Sequence, residues 1–159
     1  MKIKFLVEED FVNYKKPSMF IGFPKCTWKC EKECGKKGIC QNGALANAPT
    51  FDISYEEIIN RYISNPISKS IVFGGLEPMD SWDDVYTLIQ KFRKQTQDDI
   101  IIYTGYRLDE LTDEIAAIRT FFKNVYLKCG RFVPDQKPHF DEVLGVNLAS
   151  DNQYGVKIS

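Results

Sequence analysis

Ser70-Ile71-Val72-Phe73-Gly74-Gly75-Leu76-Glu77-Pro78 is the stretch on which the fold turns. Ile71, Val72 and Phe73 form a short apolar run of strand-forming residues that stops at a glycine pair. Such a pair lets the backbone approach a ligand with no side chain in the way. Glu77 sets a carboxylate just past the strand end, and Pro78 stiffens the turn. Taken alone, Gly-Gly also marks nothing more than a tight strand-to-helix turn.

The same punctuation recurs on both sides. Ser18-Met19-Phe20-Ile21-Gly22-Phe23 reads as a buried strand that ends just before a group of cysteines. Ser54-Tyr55-Glu56-Glu57 has the pattern of a capping box. It opens a helix whose apolar face holds Ile58, Ile59, Tyr62 and Ile63, and Asn65-Pro66 ends it. Ser81 with Asp84 starts a second helix, with Val85, Leu88, Ile89 and Phe92 at helical spacing. Ile100-Ile101-Ile102-Tyr103 is a third strand, ended by Thr104-Gly105-Tyr106. A helix through Leu111, Ile115 and Ile118 and a strand Val125-Tyr126-Leu127 follow. From Gly130 onward Pro134, Pro138, Gly145 and Gly155 predict mostly loop. Strands alternating with helices predict one α/β domain over residues 1–159, with right-handed crossovers and a mostly parallel sheet. Ligands gather at the carboxyl ends of such strands. The cysteines after Phe23, the glycines after Phe73 and Thr104-Gly105-Tyr106 therefore belong on one rim.

Composition narrows the function classes. The 21 basic and 22 acidic side chains leave a net charge of −1, with no basic excess for nucleic acid or a membrane surface. Apolar runs are far too short to span a bilayer. The N-terminus turns acidic at Glu8-Glu9-Asp10, too soon for a signal peptide, so the cytoplasm is the expected compartment. Thiols are reduced there, and clustered cysteines then argue for metal rather than disulfides.

Four of the five cysteines, Cys26, Cys30, Cys34 and Cys40, fall within fifteen residues. Thiolates at this spacing suit an iron–sulfur cluster. They also suit a structural zinc knuckle, which would take all four. Catalytic thiol chemistry lacks a Cys-x-x-Cys and a nearby histidine, since the only one, His139, lies far along the chain in a Pro-flanked loop. Cys129 reads as a small buried hydrophobe. Phe121, Phe122, Tyr126, Phe132 and Phe140 read as core. Lys15-Lys16 and Lys36-Lys37 read as solvated loop charges, with docking of an acidic electron donor as the alternative.

Gly74-Gly75-Leu76-Glu77-Pro78 resembles the Gly-Gly-Glu-Pro motif of the radical SAM superfamily, with one inserted leucine. Order along the chain agrees, because a cysteine loop follows the first strand and the glycine motif the second. Cys40-Gln41-Asn42, Tyr103-Thr104-Gly105-Tyr106, Gly130-Arg131-Phe132 and Ser150-Asp151-Asn152-Gln153 further resemble anaerobic ribonucleoside-triphosphate reductase activating proteins, glycyl-radical enzyme activases. The resemblance runs from about residue 18 to the C-terminus. It implies a compact partial (βα) barrel and a [4Fe–4S] cluster. It also implies reductive cleavage of S-adenosylmethionine to a 5′-deoxyadenosyl radical, which takes a hydrogen atom from a glycine Cα of a partner enzyme. It makes Cys26 and Cys30 ligands. The family's third cysteine has no counterpart at its usual spacing, and the resemblance favours Cys40, preceded by apolar Ile39, with residues 31–39 as a lengthened loop. Cys34 is then a spare thiol, a loop staple, or the alternative third or fourth ligand. Cofactor contacts are implied for Gly74, Gly75, Glu77 and Pro78, with Glu77 on the methionine ammonium, and for Asn42, Thr104 and Tyr106 along the cleft. The implied partners are the anaerobic ribonucleotide reductase large subunit and an electron donor such as a flavodoxin. Cys129 departs from the family, which often has Asp before Gly-Arg-Phe. The competing readings are a radical SAM enzyme acting on another small molecule or peptide, and a non-catalytic, zinc-stabilised interaction module.

Overall fold

The computed structural model describes residues 1–159. Along the chain the strands are β1 (Lys2–Ile3), β2 (Phe5–Asp10), β3 (Ser18–Phe23), β4 (Phe51–Asp52), β5 (Ser70–Gly75), β6 (Asp99–Tyr103), β7 (Val125–Cys129), β8 (His139–Asp141), β9 (Val146–Leu148) and β10 (Tyr154–Lys157). The helices are α1 (Lys29–Cys34), α2 (Gly43–Asn47), α3 (Tyr55–Ser64), α4 (Trp82–Arg93) and α5 (Thr112–Phe121). Six strands form one sheet in the order β10-β7-β6-β5-β3-β2. The inner four are parallel, and each edge strand, β2 and β10, is antiparallel to its neighbour.

Strand alternation sorts the core into two layers. Ile71 and Phe73, Ile100 and Ile102, Val125 and Leu127 point to the helix side, where they pack on Ile58 and Tyr62 of α3, Leu88 and Phe92 of α4, and Ile118 of α5. Val72 and Ile101 point the other way, onto Tyr14, Leu144 and Leu148. The expected alternation of strand and helix is therefore present, but the sheet is mixed. No helix is long and apolar enough to cross a membrane.

Several local expectations are corrected. The last quarter of the chain is not mostly loop: β8 and β9 form a hairpin, and β10 pairs with β7. At the start of the chain, β2 supplies the opposite edge and β1 pairs with β4. Ile63 is half exposed, so the buried face of α3 is Ile58, Ile59 and Tyr62. Ser54 does cap α3 by accepting from the Glu57 N–H, but the Glu57 carboxylate turns to Arg61 instead of closing the box. Ser81 does not cap α4 with its side chain; a 3-10 turn, Pro78–Ser81, precedes that helix and is capped by Glu77. Of the aromatic residues read as core, Phe122 is buried, while Phe121 and Phe140 are exposed. Lys16 is not simply solvated, because it pairs with Asp99.

Register places the site. Gly22 lies opposite Gly74, Phe23 opposite Gly75, and Tyr103 opposite Lys128. The carboxyl ends of β3, β5, β6 and β7 thus share one rim, as the strand pattern predicts.

Candidate metal and cofactor site

The chain leaves β3 at Phe23 and carries Cys26 into α1, which begins after Trp28 in the left-handed region at φ 58°. Cys30 sits in the first turn of α1 and Cys34 in its last. Gly35 and Gly38, both at positive φ, turn the chain back toward Cys40. The segment 31–39 is therefore part helix, not a plain extended loop. Cys26, Cys30 and Cys40 all line one cavity of about 380 Å³, and Cys34 lies outside it. The Cys26 sulfur accepts from the Trp28 N–H at 3.3 Å, and burial pushes its thiol up to about 11. Burial also raises the Cys30 thiol.

The glycine bend forms the facing wall. Gly75 has φ +83°, and a Cβ there would meet the Gly22 Cα at 2.8 Å and the Phe23 nitrogen at 2.9 Å. The bend is tied to the cysteine loop three times. Leu76 N–H donates to the Phe23 carbonyl at 3.1 Å, and Glu77 N–H to the Lys25 carbonyl at 2.7 Å. The Asn42 side-chain amide donates to the Gly75 carbonyl at 2.7 Å.

Glu77 lines the cavity yet is only 7% exposed. Its Oε1 accepts from the Met79 N–H at 3.1 Å and its Oε2 from the Gly105 N–H at 2.8 Å. Burial pushes its carboxyl up to about 7, although both amides oppose the shift. The residue thus braces the ends of β5 and β6 as well as facing the cavity.

Other expected contacts divide. Asn42, Gly75 and Thr104 line the cavity with Glu77. Gly74, Pro78 and Tyr106 do not. Gly74 has the Phe20 ring against its α-carbon, where a Cβ would meet ring carbons at 2.6 Å. Pro78 is buried at the head of the 3-10 turn. Tyr106 donates to Asp80 at 2.6 Å, the carboxylate that also takes the Thr27 N–H, and the Lys29 ammonium lies 4.0 Å from its ring centre. It therefore supports the cysteine loop from behind. His139 and Cys129 also lie outside the cavity, and burial pushes the Cys129 thiol up to about 12.

Sequence reading missed Lys128 and Phe132 on the cavity wall and the ion pair of Arg131 with Glu110 beside it. Burial lowers the Lys128 ammonium to about 8, with the charges of Glu77 and Cys30 opposing. Its position one residue before the end of β7 is the signal available in the sequence. Arg131 was visible only as the middle of Gly-Arg-Phe.

No three His, Cys, Asp or Glu side chains lie close enough together to hold a single ion. Three soft thiols, Cys26, Cys30 and Cys40, line one cavity, and such a donor set suits an iron–sulfur cluster. Residues 18–148 match the model of a family described as a 4Fe-4S single cluster domain. No curated protein and no solved structure gives a match.

Proposed function

We propose, from the premise that this chain belongs to the 4Fe-4S single cluster domain family and is an iron–sulfur protein, that it is a radical S-adenosylmethionine enzyme of the glycyl-radical activating type. One observation carries the reading: the three thiols and the Gly75-Leu76-Glu77 bend are walls of the same cavity. Its volume of about 380 Å³ lies in the range of small-molecule sites.

In this reading Cys26, Cys30 and Cys40 would hold the cluster, and S-adenosylmethionine would bind beside it in the same cavity. The chemistry supplied when both are bound is one-electron cleavage of the sulfonium, giving methionine and a 5′-deoxyadenosyl radical that takes a hydrogen atom from a glycine Cα. The protein's own part is positioning. Gly75 keeps the bend free of a side chain where it crosses β3. Asn42 locks the far end of the cysteine loop onto the Gly75 carbonyl. Glu77 presents a buried carboxylate, fixed by two amides, toward the cofactor's amino group. We read β3, β5, β6 and β7 with their intervening helices as the units of a partial (βα) barrel. Val12 is exposed at the rim of the cavity, where a protein partner would close the site against water. The anaerobic ribonucleotide reductase large subunit is the partner that the Gly-Arg-Phe and Cys-Gln-Asn segments favour, with a flavodoxin-type electron donor.

Anaerobic reconstitution should give a brown, oxygen-sensitive protein with about four irons per chain. Reductant should then release 5′-deoxyadenosine from S-adenosylmethionine. A fully loaded cluster that yields none of this nucleoside overturns the reading. Deuterium transfer from a glycine-labelled reductase into the nucleoside tests the partner separately.

A further inference from the structure

Arg131 is 5% exposed at the end of β7. Its Nη1 and Nη2 each lie 2.7 Å from a Glu110 oxygen, a two-pronged pair. Nη1 also donates to the Gly105 carbonyl at 3.3 Å. Its Nε faces Glu33 of α1 at 3.0 Å. Arg107 reaches the same Glu33 at 3.4 Å, and Lys29 of α1 reaches Glu110 at 3.3 Å. Both ends of the cysteine helix are thus held by one charged knot built on the ends of β6 and β7. A Cβ placed on Gly105 would lie 3.5 Å from the Cys30 sulfur, 3.5 Å from Glu77 Oε2 and 3.8 Å from the Arg131 Cγ. The knot therefore adjoins the cavity. Phe132, the next residue, lines the same cavity as Cys30.

We propose that Arg131 is a positioning residue for the cluster, clamping α1 directly through Glu33 and, by way of Glu110, through Lys29, so that Cys30 is held on the cavity wall. It acts through other groups: the clamp fixes where Cys30 stands, and the nearby guanidinium favours extra negative charge on the sulfur. Groups behind the ligands commonly change metal affinity by about 10–100-fold. The inference rests on the thiol-held cluster alone, so a failure to cleave S-adenosylmethionine leaves it standing.

The test uses reconstituted protein, Arg131→Met, and the double variant Arg131→Met with Glu110→Met. Removing Arg131 alone orphans a carboxylate, whereas replacing a buried ion pair by apolar side chains is often neutral for stability. If Arg131→Met does not fold, the double variant carries the test. Iron release to a ferrous chelator should speed about tenfold or more. The reduction potential of Arg131→Met should fall, because a positive charge is lost near the sulfur. Amide exchange should quicken in residues 29–34 and stay unchanged in β5 and β6. Parent-like iron release and potential in the folded variants overturn the proposal. So does exchange that quickens equally throughout the sheet, since that marks a residue serving only overall stability.

Discussion

Gly75 has two constraints at once, a left-handed backbone and a neighbouring strand against its α-carbon. Gly→Ala elsewhere often stabilises slightly by stiffening the unfolded chain. Here the methyl group would meet backbone atoms of Gly22 and Phe23, which have no flexible end to move aside. Gly75→Ala should cost on the order of 2 kcal/mol or more, read as a lower urea midpoint, with loss of iron binding. A midpoint equal to the parent's would show that the bend is not held against β3. The cysteines separate as sharply. Cys40 shares the cavity with Cys26 and Cys30, and Cys34 does not. Cys40→Ala should lose the cluster absorbance and most of its iron, and Cys34→Ala should keep both. The reverse result would move the third ligand to the end of α1. The sequence favoured Cys40 only through its Ile39 and Gln41-Asn42 flanks. Asn42 bonding to the Gly75 carbonyl gives that tail a physical purpose.

Between elements, the strength of the α1 clamp depends on the ionisation of Glu110. Arg131 holds its carboxyl well below the usual carboxylate range. A depressed folded pKa contributes stability that is full above the unfolded value, near 4.3, and fades as pH falls toward the folded one. The urea midpoint of Glu110→Gln should therefore lie below the parent's at pH 6, with the gap narrowing as pH approaches 3. A gap that stays constant with pH would remove the ionic origin of the clamp. Among the elements, the inner strands and α3, α4 and α5 were legible because their apolar residues recur at clear strand or helix periods. The cysteine helix was not: α1 has no buried residue and lies between a left-handed residue and a glycine, so it carries no periodic face. β8 and β9 were hidden by their length, three residues each, and by the prolines and glycines around them. The helix-start signal at Ser81 placed α4 correctly, since Ser81 is its N-cap position, but the capping side chain nearby is that of Glu77, four residues earlier, which caps the preceding 3-10 turn and is also the residue singled out for ligand binding. The same carboxylate ends the strand, starts the next helical turn and faces the cavity, and no local pattern separates those roles.

In the whole molecule the rim is shaped by four parallel strands, and the cavity opposite α2 is walled by the far end of the chain. Gln153 is buried there: its Oε1 accepts from the Ala149 and Ser150 amides, and its Nε2 donates to the Gly130 carbonyl. β10 then seals the open edge of β7, and Ile158 enters the main core. Gln153 was singled out as the end of Ser150-Asp151-Asn152-Gln153, but β10 was hidden in a segment that reads as loop, because an edge strand of four residues makes sense only beside the strand it covers. The C-terminal strand is therefore a condition for the site as well as for the sheet. A chain ending at Asn152 loses the β10 ladder and the buried Ile158, together about 5 kcal/mol. At this chain length that corresponds to a fall in Tm of roughly 10–20 °C. The shortened chain should also fail to retain iron at temperatures where its helices are still formed, because Gly130 and the Arg131-Phe132 segment lose the Gln153 brace before the inner strands separate. Circular dichroism and iron content followed on the same sample distinguish the two events. If the shortened chain melts with the parent and keeps about four irons, residues 1–152 support the cluster by themselves, and neither the Gln153 brace nor β10 is needed.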